Sequence, residues 1–161
     1  MRDGVASAHD ESLRLARRGL LLCRGGNWEE GSNLLGKAFD TATAVVLPGT
    51  VYSFLGYGLA RQHGRYRQGL SLCEHALRMQ PDEPENYVNL ARTLLLMNRR
   101  RKAMGILNRG LALAPRHPAL LEVRLALGVR RSPVVPFLVR SHLVNRLLGR
   151  VRHGLWQGDG E

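Results

Sequence analysis

The sequence predicts an all-α solenoid of antiparallel helix pairs, with about three repeats followed by a capping helix and a C-terminal helical tail. The first observation is a repeat: Pro81 and Pro115 are 34 positions apart, as are Gly69 and Ala103. The second is that leucines within each unit recur at three- and four-residue spacing, which is the period of an amphipathic helix. The third is that no segment shows a convincing strand pattern.

The first unit, residues 12–45, is the weakest copy of the repeat. The segment before it, residues 1–11, is expected to be flexible. Gly26 and Gly31 occupy repeat positions in this unit, but no proline closes it before Pro48.

The second and third units, residues 49–83 and 84–117, are close copies of each other. Gly64 and Asn98 stand where the first helix of each pair must stop, and both residue types tolerate a left-handed backbone. Small residues within the helices let two backbones approach closely, and a proline ends the second helix of each unit. The residues that define the repeat are Leu55, Gly56, Gly64, Gly69, Ala76, Pro81, Leu90, Ala91, Ala103, Gly110 and Pro115.

Two further elements are predicted after the repeats. Residues 118–128 are expected to form a helix that caps the exposed apolar face of the last repeat. Residues 129–161 comprise a basic, proline-containing linker and an amphipathic helix from Ser141 to His153. That helix is too short to span a bilayer, and we expect its aliphatic face to pack on protein, either the solenoid or a partner. Association with an anionic membrane surface is the alternative.

The repeat resembles the tetratricopeptide repeat, a helix pair with a 34-residue pattern. Residues 84–117 match that pattern at Tyr87, Leu90, Ala91, Leu94, Ala103, Leu107, Gly110 and Pro115. The resemblance implies a stack whose concave side holds a peptide or a partner's helix, with first-helix side chains lining the groove. The groove positions implied in this way are Ser53, Tyr57, Ala60, Arg61, Val88, Arg92, Leu95 and Leu96.

Within this implied groove, Tyr57 and Arg92 occupy equivalent places, and Arg61 lies one turn after Tyr57. Arginine can hold a carboxylate by two hydrogen bonds, so we expect an acidic or carboxylate-bearing partner. Family members that bind chaperones hold an acidic C-terminus with a lysine–asparagine clamp. The matching places here are Ala16 and Leu20, so chaperone tails are not expected partners.

The formal net charge of +11 is unevenly distributed. Residues 84–161 carry 14 basic and 4 acidic residues, against 10 and 9 in residues 1–83. Such asymmetry is typical of proteins with an anionic partner, so nucleic acid or an anionic membrane surface is the alternative function. The excess of 22 arginines over 2 lysines also fits a GC-rich genome. We expect Arg99–Lys102 to be the solvent-exposed start of a helix.

No arrangement of residues indicates catalysis, a cofactor or a metal site. The six histidines are scattered, and no Ser-His-Asp or paired-carboxylate arrangement stands out among the 13 acidic residues. Cys23 and Cys73 lie in apolar helical patterns and are predicted to be buried hydrophobic residues. With no apolar leader segment, the expected location is the cytoplasm. The predicted function is a protein–protein interaction module and not an enzyme, with membership of a larger assembly as a third possibility.

Overall fold

The computed structural model describes the backbone of residues 2–42 and 46–128, and side chains from residue 9 onward. Those residues form seven helices and no strand, which confirms the all-α prediction. The helices are α1 (Arg2–Arg24), α2 (Trp28–Thr41), α3 (Gly49–His63), α4 (Tyr66–Met79), α5 (Pro84–Leu96), α6 (Arg100–Leu113) and α7 (Pro118–Ala126). The linker and the Ser141–His153 helix predicted for residues 129–161 lie outside the described residues.

The first helix begins ten residues earlier than the sequence suggested. Residues 1–11 were predicted to be flexible, whereas in the structure α1 runs without interruption from Arg2 to Arg24. The segment contains no proline, so nothing in it blocks helix propagation. Ser12 is fully buried, and its hydroxyl donates to the carbonyl of His9 at 2.9 Å, so packing already holds the helix at this turn.

Small residues set the distance between the two helices of each pair. A Cβ built on Gly56 in α3 would lie 2.6 Å from the carbonyl oxygen of Gly69 in α4, and one built on Gly19 would lie 2.9 Å from the carbonyl oxygen of Gly31. The corresponding residues of the third pair, Ala91 and Ala103, are fully buried. The repeat positions read from the sequence therefore lie where the backbones meet, as predicted.

The turns between paired helices adopt the left-handed backbone that the sequence predicted. The φ angles are 91° at Gly26, 64° at Gly64 and 58° at Asn98, the last being the one described non-glycine residue with a positive φ. After Asn98, the amide of Arg99 donates to the carbonyl of Leu94 at 2.9 Å, which satisfies a helix-terminal carbonyl. Each turn reverses the chain within two or three residues, so the paired helices run antiparallel.

The helices form two layers. Odd-numbered helices contact one another in chain order, α1 with α3, α3 with α5 and α5 with α7. Within the described residues, no even-numbered helix contacts another even-numbered helix. The odd-numbered helices therefore form the continuous inner layer of the stack, and their exposed side chains face a common groove.

The capping helix α7 begins with Pro118 at its first position and buries Leu120 and Val123. Leu120 fills the space beside Gly110 of α6, where an added Cβ would lie 3.0 Å from a Leu120 methyl carbon. On the opposite face, Leu125 is 72% exposed. Leu125 is 34 positions after Ala91. At this position of the repeat, α7 therefore has a leucine where α5 has a small residue.

Candidate partner-binding groove

A groove on the inner layer encloses a cavity of about 300 Å³. Its walls come from α1, α3, α5, α7 and the start of α2, so every odd-numbered helix contributes to it. The residues that matter for its chemistry are Arg24, Trp28, Phe54, Glu85, Val88, Asn89, Arg92 and Glu122.

Three aromatic side chains form a cluster along one side of this groove. Trp28 and Phe54 are stacked, with ring centroids 5.7 Å apart and planes 12° from parallel. Tyr57 meets Trp28 edge-on at 4.8 Å. Phe54 and Tyr57 are buried, at 4% and 7% exposure, so the cluster is packed rather than adaptable.

Arg24 extends from α1 across α3 to α5. Its guanidinium lies over the ring of Phe54, 5.6 Å from the centroid. Nε and Nη2 donate to the two carboxylate oxygens of Glu85 at 2.8 and 2.5 Å, which is a bidentate ion pair. The hydrogen bond to Glu85 raises the pKa of Arg24 above its usual value, so this arginine stays charged.

Arg61 and Arg92 lie on the same aromatic cluster. The Arg92 guanidinium is 5.8 Å from the Tyr57 ring centroid, and a terminal nitrogen is 3.6 Å from a carboxylate oxygen of Glu122. Arg61 donates to the Tyr57 hydroxyl at 3.2 Å and lies 6.0 Å from the Trp28 ring. Among the described residues, no carboxylate comes within ion-pair distance of Arg61.

A family model for the tetratricopeptide repeat matches residues 60–127, from the end of α3 to the end of α7. Residues 60–127 therefore consist of tetratricopeptide repeats. No curated protein matches it by sequence.

Solved tetratricopeptide-repeat domains share this fold at low sequence identity. The domain of Arabidopsis OM64 has a TM-score of 0.59 at 16% identity, covering 74% of this chain and 96% of that one. The first domain of Spaghetti (RPAP3), bound to the HSP90 peptide SRMEEVD, has a TM-score of 0.57 at 14% identity, covering 73% and 93%. The second domain of human RPAP3, in complex with the HSP70 peptide SGPTIEEVD, has a TM-score of 0.57 at 10% identity, covering 76% and 99%.

The structure places some of the predicted groove residues at the groove and others in the interior of the stack. Tyr57, Arg61 and Arg92 come together around the aromatic cluster, and Val88 lines the cavity. Leu96, at the end of α5, is 39% exposed, whereas Leu95 is half-buried and packs against the core.

Two of the predicted groove positions are interior instead. Ser53 is fully buried, donates to the carbonyl of Thr50 at 3.0 Å and accepts a hydrogen bond from Asn89 at 3.2 Å. Ala60 is 1% exposed. The expectation that Ser53 and Ala60 contact a partner is therefore wrong, because α3 is rotated so that both side chains face neighbouring helices.

Sequence reasoning missed Arg24, Trp28, Phe54, Glu85 and Glu122. For Arg24 a signal existed, since it follows the small residue Gly19 by five positions, as Arg61 follows Gly56. The two glutamates carry no such signal, because their contacts depend on how successive helix pairs are stacked.

The cysteines are buried hydrophobic residues, as the sequence predicted. Burial raises the pKa of Cys23 to about 11 and that of Cys73 to about 12. Neither thiol is therefore prepared for nucleophilic chemistry. In the part of the chain that the structure describes, no three His, Cys, Asp or Glu side chains are grouped to hold a metal ion, and no helix is long and apolar enough to cross a bilayer.

Proposed function

We propose that this protein is a non-catalytic interaction module whose inner groove holds an acidic segment of a partner protein, as an extended peptide or as the acidic face of a helix. The observation that carries the proposal is the placement of Arg24, Arg61 and Arg92 on one packed aromatic cluster.

The aromatic contacts favour binding because they orient the arginines before a partner arrives. A free arginine loses side-chain entropy when it is fixed, whereas a guanidinium already resting on a ring loses less. The planar group can then form two parallel hydrogen bonds with a carboxylate. Phe54 and Val88 line the cavity beside these charges, but both side chains are almost fully buried, so the charged groups are the main feature that a partner meets.

The solved relatives support peptide binding as the general activity. The RPAP3 domains hold chaperone peptides that end in EEVD. Those proteins share only 10–14% of residues with this chain, so the fold is the common feature. Ala16, one of the positions matched to the chaperone clamp, is buried at 3% exposure and carries no donor, so we propose a different acidic segment as the partner.

Binding of a fluorescein-labelled hexaglutamate peptide, followed by anisotropy at low salt, tests the proposal. Arg92→Glu should weaken binding about tenfold or more, because it reverses a charge in the groove. Arg101→Glu makes the same charge change on the exposed start of α6 and should alter affinity less than about twofold. Arg100 is a poorer control, since its side chain donates to the carbonyl of Leu127.

One observation favours the alternative partner class, nucleic acid or an anionic membrane surface. The four cations Arg99–Lys102 are all exposed, and within the described residues none of them forms an ion pair. If the alternative is correct, Arg101→Glu should weaken binding to bulk DNA or to phosphatidylserine vesicles more than Arg92→Glu does. If Arg92→Glu and Arg101→Glu lower the affinity for hexaglutamate equally, the attraction is diffuse and the groove proposal is contradicted.

A further inference from the structure

We propose that Glu85 and Glu122 occupy the carboxylate sites of the groove in the free protein, and that an acidic partner binds by replacing them on Arg24 and Arg92. This inference rests on the proposed function, since it requires an acidic segment in the groove.

The contact between Arg24 and Glu85 has the geometry expected of an arginine that binds a partner's carboxylate. Glu85 presents both carboxylate oxygens to Arg24, at 2.8 and 2.5 Å, which is the bidentate arrangement that a partner's carboxylate would adopt. The two residues are 61 positions apart and belong to α1 and α5, with Phe54 of α3 beneath the guanidinium. The pair therefore lies across the groove, in the path of a segment that would run along it.

The second contact is looser. The shortest distance between Arg92 and Glu122 is 3.6 Å, and the Glu122 side chain is 75% exposed, whereas Arg92 is 25% exposed and rests on Tyr57. Tyr57 rather than Glu122 thus holds Arg92 in position. Replacing Glu122 by a partner's carboxylate would leave the arginine where it is.

We expect the partner's carboxylate to replace the glutamate rather than to bind beside it. Each guanidinium has a limited number of N–H donors directed into the groove, so the two carboxylates compete for them. The Arg92–Glu122 contact is long and partly exposed and contributes little to folding, whereas on Arg24 a carboxylate of the partner would replace the two hydrogen bonds of Glu85 one for one. Arg61 has no carboxylate partner among the described residues, and it provides a site where an acidic segment can make its first contact. The groove therefore selects a partner with at least two acidic side chains, one for each glutamate replaced.

The test compares glutamate-to-glutamine variants in the hexaglutamate anisotropy assay. Glu85→Gln and Glu122→Gln should each tighten binding about two- to fivefold, because the internal competitor is removed. The matched control is Glu74→Gln, which makes the same charge change at an exposed position of α4 outside the groove. Denaturation curves of each variant show that the native fold is retained.

The possible results distinguish replacement of the two glutamates from the proposed binding of an acidic segment in the groove. Binding to the wild type with no tightening beyond that of Glu74→Gln overturns the exchange and leaves groove binding intact. Weaker binding in Glu85→Gln or Glu122→Gln overturns it as well, because the glutamates would then orient the arginines for the partner instead of competing with it. Failure of every variant to bind the peptide overturns the proposed function, and the exchange with it.

A nuclear magnetic resonance measurement locates the exchange at Arg24. The Nε–H of Arg24, assigned by its loss in Arg24→Gln, should be protected from solvent in the free wild-type protein by its bond to Glu85. Glu85→Gln should lose this signal, and hexaglutamate should restore it. A peptide that binds Glu85→Gln without restoring the signal would show that Arg24 is not the carboxylate site.

Discussion

Gly56 and Gly69 bring the backbones of α3 and α4 into direct contact. A Cβ on Gly56 would lie 2.6 Å from the Gly69 carbonyl oxygen and 2.9 Å from the sulfur of Cys73. The Gly69 carbonyl oxygen cannot move without shifting α4, so the absence of a side chain at both positions fixes the distance within this pair.

Larger side chains between α3 and α4 should therefore destabilise the middle pair. Gly69→Leu and Ala76→Leu should each lower the free energy of unfolding by ~1–3 kcal/mol or more, because interior overpacking forces the helices apart. Urea denaturation followed by circular dichroism measures the change. Gly105→Leu is the matched control: an added Cβ there meets nothing within 4 Å, and stability should stay the same or rise. Wild-type stability in Gly69→Leu would refute the assigned contact.

Substitutions in the left-handed turns should differ in their effect on stability. Gly64→Ala places a Cβ at a residue with φ 64° and should lower the free energy of unfolding by about 1–2 kcal/mol. Asn98→Gly removes a side chain from a residue with φ 58° and should change stability by only a few tenths of a kcal/mol. Thermal unfolding of the two variants in one buffer makes the comparison. A similar loss in both would indicate that backbone strain does not decide these positions.

Ser53 should contribute to stability rather than to partner binding. Its hydroxyl accepts a hydrogen bond from the amide of Asn89, which is 1% exposed. Ser53→Ala leaves that donor without its acceptor and should lower the free energy of unfolding by ~1–3 kcal/mol. Ser71→Ala, the same change at an exposed position of α4, should have almost no effect. Equal urea midpoints for the two variants would contradict this role.

The two thiols should be unreactive in the folded protein. With pKa values of about 11 and 12, Cys23 and Cys73 are almost entirely protonated at pH 8, and both are shielded from solvent. Ellman's reagent at pH 8 should label neither thiol within minutes in native buffer and both in denaturant. Rapid labelling of Cys73 in the native protein would show that the helices around it open readily.

The same pKa shifts predict a loss of stability in alkali. Both thiols have a folded pKa above the ordinary value of 9.0, so the folded state retains protons that the unfolded state releases. Their contribution is complete below pH 9 and is lost as the pH rises towards 11–12. Urea midpoints at pH 8 and pH 10.5 should differ less in Cys73→Ala than in the wild type. An unchanged difference would assign the alkaline loss to other groups.

The sequence predicts features that depend on local residue type. Proline, glycine and asparagine at 34-residue spacing located the turns, since each acts through its own backbone preference. The early start of α1 was missed because residues 2–11 lack a strong local signal. Ser53 was misplaced because one position along a helix rotates the side chain by about 100°, which is enough to turn it from the groove to the interior. The partners of Arg24 and Arg92 depend on stacking between helix pairs.

The pair formed by Arg24 and Glu85 also changes how the stack unfolds. In a solenoid, each repeat contacts only its neighbours, and stability is approximately a sum of single-repeat and nearest-neighbour contributions. Arg24 and Glu85 join the first helix pair to the third, so they add a contribution outside that sum. The contribution of this ion pair to stability is small, about 0–1 kcal/mol, and salt weakens it further by screening the charges. The cooperativity of unfolding between the two ends should thus decrease with ionic strength, whereas the contacts within each pair persist.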